Sequence, residues 1–110
     1  MTTNPSKTIL VMTHLPDRES AERMAESLVE QRLAACVNIH AACTSIYHWQ
    51  GKIERSDEIP LHAKTTLDRY DALEAAIRAM HPYELPEIVH VHLDGGEHGY
   101  IQWIEQETRA

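Results

Sequence analysis

Between residues 79 and 96, AMHPYELPEIVHVHLDGG, the chain gathers side chains that bind protons and metals. His81 and Tyr83 flank Pro82, and Glu84 and Glu87 stand either side of Pro86. Two prolines stiffen the backbone, and a stiff backbone with convergent polar groups is how a site is held in place. The plainer role is also open: Pro82 ends a helix and His81 caps its last carbonyls. Further on, His90 and His92 alternate with valines. Two histidines at i and i+2 of a strand lie about 7 Å apart on one face. Imidazole is a good ligand for zinc and copper.

Alternation predicts that Val89, Val91 and Leu93 face a helical layer while Ile88, His90 and His92 face the other way. Leu61 and Ala63 suggest the same division in an earlier strand, with His62 and Lys64 turned from the helices. The expectation is an open sheet face carrying His62, His90 and His92. They form either a secondary metal set or hydrogen-bonded residues of a subunit interface. Cys36 is a soft ligand by its thiol or a small core residue by its size. Cys43 receives no role. Catalysis has no carrier: there is no nucleophile elbow, phosphate loop or CxxC pair, so the chain is read as non-enzymatic.

The elements that must position these residues follow from the apolar spacing. Residues 7–13 read as a buried strand, broken by His14-Leu15-Pro16-Asp17, with Asp17 capping a helix that runs to about Arg32. Ala21, Met24, Ala25, Leu28 and Val29 form its stripe. One strand is expected from Cys36 to Trp49. Gln50-Gly51 makes a hairpin turn into a returning strand, in which Pro60 marks a bulge or an edge. A second helix starts at Thr66 or Asp68, buries Tyr70, Leu73, Ile77 and Met80, and ends near His81. Residues 87–93 form a strand, 94–99 a loop, and 100–108 a last helix anchored by Ile101 and Ile104, with Trp103 left for an interface.

The order β-α-β-β-α-β plus a terminal helix predicts an α+β, ferredoxin-like sandwich: an antiparallel sheet with both long helices on one face. The uncovered face then requires a second copy or a ligand. The 110 residues suit a flexible tail over 1–6 and a single domain over 7–110. A formal charge of −7 argues against nucleic-acid binding. No apolar run has the length of a membrane span, and the first residues lack a secretory pattern. On a regular strand the two cysteines stand roughly 23 Å apart, too far for a bridge. A cytoplasmic location is therefore expected.

Five segments together resemble the CutA divalent-cation tolerance family: LAACVNI (33–39), TSIYHWQGKIE (44–54), KTT (64–66), HPYELPEI (81–88) and YIQWI (100–104). The resemblance implies a PII-like homotrimer whose hairpin pairs with a neighbouring subunit and whose open faces pack around a threefold axis. It implies binding of copper or related metal ions, with Met12, Met80 and His81 at the metal positions. The family has a cysteine and a histidine pair where this chain has Met12 and Met80-His81. A thioether-rich set favours Cu(I) over Zn(II). It also implies an intersubunit pocket of Trp49, Lys52, Lys64, Tyr83, Glu84 and Glu87, with Lys64 beside Glu87. The alternative is a PII-like signalling or anchoring module that takes a small ligand or an unknown protein partner in that pocket.

Overall fold

The computed structural model describes residues 7–109; the expected tail over 1–6 lies outside the described residues. Strand β1 (Thr8–Leu15) is followed by α1 (Arg18–Glu30), β2 (Cys36–Ile39), β3 (Cys43–Trp49) and β4 (Lys52–Thr66). A 3-10 turn (Leu67–Arg69) leads into α2 (Tyr70–Met80), then β5 (Val89–His92) and α3 (His98–Glu107). The sheet order is β2-β4-β1-β5, antiparallel throughout, with β3 paired to the outer half of β4. This is the expected ferredoxin-like α+β arrangement.

Helix α1 starts where Asp17 accepts a 2.7 Å bond from the Ser20 amide. Past Glu30 its end is closed at Arg32, which takes φ 57°. The Arg32 amide bonds the Val29 carbonyl and the Leu33 amide bonds Leu28, closing the helix with a left-handed residue that is not glycine. Ala21, Met24 and Leu28 of α1 and Leu73 and Ile77 of α2 pack on Ile9, Val11, Leu15, Leu61 and Ala63. Those strand residues share one face, so both long helices cover the same side of the sheet.

Four expectations are corrected. β1 continues through His14 and Leu15, because both are paired with β4. The strand expected over Cys36–Trp49 is two strands. Residues 40–42 oppose only Ile59 and Pro60, so the register against β4 shifts by one residue between β2 and β3. Pro60 therefore does mark a bulge. Its carbonyl accepts from the His40 amide, so its missing N–H falls on the interrupted side and costs β1 nothing. Met80 and Val29 do not join the core; they are 40% and 43% exposed.

The fourth correction concerns faces. His90 pairs with Val11 and His92 with Ile9, both buried under the helices, so the two histidines lie on the helical side. The His90 ring stands 4.2 Å from the Tyr70 ring of α2. Val89 and Val91, each 47% exposed, face the open side. A run such as VHVH looks alike in both registers, and a one-residue shift exchanges the faces. The open side is also not bare. Helix α3 crosses one end of it: Ile104 is fully buried, and the Thr108 hydroxyl lies 3.5 Å from that of Thr66.

Ile77 is fully buried between α2 and the sheet. Ile77→Ala should lower unfolding free energy by about 2–5 kcal/mol through lost burial and the cavity left behind. Chemical denaturation at fixed protein concentration checks this as a lower midpoint with unchanged slope.

Candidate functional site

The turn after α2 is built around His81. Its amide continues the helix to the Ile77 carbonyl at 2.9 Å. Its ring Nδ1 accepts from the Tyr83 amide at 3.2 Å. That bond places the ring proton on Nε2, which donates to the His14 carbonyl at 2.7 Å. Both ring nitrogens are thus used, one to shape the Pro82 turn and one to tie it to β1. Burial pushes the His81 imidazolium down, opposed by the His14 carbonyl and Glu58. Of the two roles open from sequence, the geometry is that of a structural clamp.

Beside this turn lies a cleft of about 820 Å³ between the β3–β4 hairpin and the segment 82–87. It brings together four of the six residues expected of the pocket: Trp49, Tyr83, Glu84 and Glu87. Inside it the Tyr83 hydroxyl donates to Glu58 Oε2 at 2.9 Å. Burial and that carboxylate push the Tyr83 phenol well above its usual range. His14 Nδ1 lies 3.4 Å from Glu87 Oε1, so Glu87 has an imidazole partner where a lysine was expected. Lys64 is elsewhere: its ammonium donates to the Tyr100 hydroxyl of α3 at 3.2 Å and sits 5.4 Å from that ring's centre. Lys52 is across from Trp49 at the hairpin end, outside the cleft lining.

Sequence reading missed Glu58 and Ser56, whose hydroxyl lies 2.7 Å from that of Tyr47. A signal was present. Counting outward from the Gln50-Gly51 turn pairs Ser45 with Ser56 and Cys43 with Glu58. Turn geometry sets hairpin register.

The residues assigned to a metal by resemblance are not in one state of readiness. Met12 is on the open face, directly across from His62 on β4 and Val89 on β5. Met80 is exposed at the end of α2. His81 has no ring lone pair to spare while Tyr83 holds Nδ1. His62 is on the open face as expected, and its ring lies 4.3 Å from that of His40. It is separated by the sheet from His90 and His92. Cys36 is half-buried with its sulfur 3.9 Å from Asn38 Oδ1, and both cysteines are free thiols. Among the described residues, no three of His, Cys, Asp and Glu form a group that could hold a metal ion.

The model of the CutA1 divalent ion tolerance protein family matches residues 9–107. The chain belongs to that CutA1 family. It is 41% identical over 99 residues to the divalent-cation tolerance protein CutA of Thermus thermophilus, covering 90% of this chain and 96% of that one. It is 38% identical to the chloroplastic protein CutA 1 of rice over 98% of this chain, but spans only 60% of that protein. Among solved structures, CutA of Xylella fastidiosa superposes with a TM-score of 0.92 at 40% identity, over 94% of this chain and all of the other. CutA1 of a Shewanella species gives 0.93 at 39% identity, over 97% and 100%. These CutA1 matches agree with the sandwich and with a tolerance protein rather than a named enzyme. No helix among the described residues is long and apolar enough to cross a membrane.

His81 generates a pH prediction. Its folded-state value is depressed, so its neutral form favours folding at neutral pH. That contribution is complete above the unfolded value near 6.5 and is lost as pH falls towards and through the folded value. Denaturation of the unaltered chain between pH 7.5 and 5 should show stability falling with pH. His81→Gln, which cannot take the proton, should flatten that slope. A second prediction concerns Tyr83→Phe, which strands the buried Glu58 carboxylate. It should cost about 1–3 kcal/mol, read in the same assay at pH 7.

Proposed function

We propose that this chain is a trimeric, non-catalytic tolerance protein that binds copper or a related metal ion in the cytoplasm. The observation that carries the reading is the open sheet face. It presents a thioether (Met12) and an imidazole (His62) beside the exposed Val89 and Val91. An apolar face of this kind favours burial against further copies, and soft donors favour Cu(I) ahead of Zn(II). The exposed hairpin residues Ile46 and Ile53 support the same assembly, since an unpaired strand edge gains by pairing with a neighbour. Free cysteines fit a reducing compartment. Met12 belongs to that face, and Met80 is accessible. Ligation by His81 requires that it release the Tyr83 amide first.

A second reading rests on the cleft. A PII-like signalling or anchoring module would take a small ligand or a protein partner there. The cleft walls, formed by Trp49, Tyr83, Glu84 and Glu87, support it. Lys64 lies outside them and supplies no anion contact.

Native mass spectra of the metal-free protein, taken with Cu(I) under reducing, oxygen-free conditions, test both. The expected result is a trimer carrying three ions. A bare trimer would remove copper and move the search to the cleft, where a copurified small molecule would be sought. A folded monomer as the main species at micromolar concentration would sink the assembly.

A further inference from the structure

On the reading that the chain binds a metal ion, we infer that the ion is held between His40 and His62 on the open sheet face, with Met12 as the third donor. The His81 end of α2 is not the site. The two imidazoles come from the neighbouring β2 and β4 segments, where His40 continues the β2 register and is the diagonal neighbour of His62. His40 is the first residue past β2, and its amide bonds the Pro60 carbonyl at 2.9 Å. That anchor sets the ring beside His62, two residues along β4, with ring centres 4.3 Å apart and planes inclined by 53°.

Among the described residues, neither ring has a hydrogen-bonding partner. His81 has two, and the ring of His14 is turned towards Glu87. A lone pair is therefore available on both rings of the pair and withheld at His81. Met12 is the direct cross-strand neighbour of His62, and such neighbours on one face have Cβ atoms about 4.5–5.5 Å apart. Two imidazoles and a thioether form a three-donor set suited to Cu(I). Because a thioether completes it, this set is compatible with the lack of any ready group of three His, Cys, Asp or Glu residues.

The ionisable neighbours of His62 are basic: His40, His14 and Lys64. Lys64, the next residue on the same face of β4, turns its ammonium to the Tyr100 hydroxyl. Burial first, then His40, His14 and Lys64, hold the His62 imidazolium below its usual range.

The test is competition for Cu(I) against a colorimetric chelator, using the assembled, full-length protein with light scattering as the assembly control. His40→Gln and His62→Gln should each weaken Cu(I) binding by about tenfold or more, since loss of a ligand costs at least what loss of an outer-shell partner does. Met12→Leu should weaken Cu(I) while leaving Zn(II) binding unchanged. His81→Gln should retain the affinity of the unaltered chain. If His40→Gln and His62→Gln bind Cu(I) unchanged, or if only His81→Gln loses it, the placement is wrong and the metal reading survives. If the unaltered chain takes up no Cu(I), reading and placement fall together.

Discussion

Fifteen residues of β4 supply the backbone partners that β1, β2 and β3 would otherwise lack. An unpaired peptide group inside a protein costs free energy comparable to a lost hydrogen bond, so three strands depend on one. The inner half of β4 contributes Leu61 and Ala63 to the core and His62 and Lys64 to the opposite face. The outer half leaves the core and continues as one arm of the hairpin. A single strand thus carries the fold's interior, its open surface and the wall of its cleft.

His81 shows how the same economy works at one residue. It ends α2, shapes the Pro82 turn and ties that turn to the last residues of β1. Tyr83 then reaches Glu58 on β4, so the segment between α2 and β5 is fastened to two strands of the sheet. Of the titratable residues in that segment, His81 holds backbone in place, while Tyr83 and Glu87 meet the side chains of Glu58 and His14. Among the described residues, the sheet histidines His40 and His62 have no hydrogen bond to their rings, and they lie away from the conspicuous HPYELPE stretch.

Much of the fold was legible because its signals are local. Asp17 caps α1, Gln50 and Gly51 both take positive φ at the hairpin turn, and Pro82 stops α2. Apolar spacing identified the α1 and α2 faces, with Leu28, Leu73 and Ile77 fully buried. What failed was tertiary in origin. The face of β5 depends on its register against β1, and VHVH carries no preference for either register. Lys64 is separated from Glu87 by register: Glu87 meets His14, which pairs with Pro60 four residues away from Lys64 on β4, where α3 offers Tyr100 instead. Glu58 was overlooked because an exposed-looking strand glutamate has no signature until a tyrosine from another element reaches it. The His40–His62 pair was invisible because it is diagonal across the β2–β4 ladder, whose register has no local signal.

The extra residue at the bulge separates two registers. β2 and β3 both pair with β4, but the offset at residues 40–42 means that the core ladder and the hairpin ladder are counted independently. The hairpin arm is therefore a module of adjustable length. Adding two residues to each arm would extend its reach by about 6.8 Å while leaving inward and outward alternation intact. Descendants of this chain could vary how far they reach towards a neighbour without renegotiating the interior. A chain with one continuous strand in place of β2 and β3 would lack that freedom, because a slip begun at the tip would travel down to the residues beneath the helices.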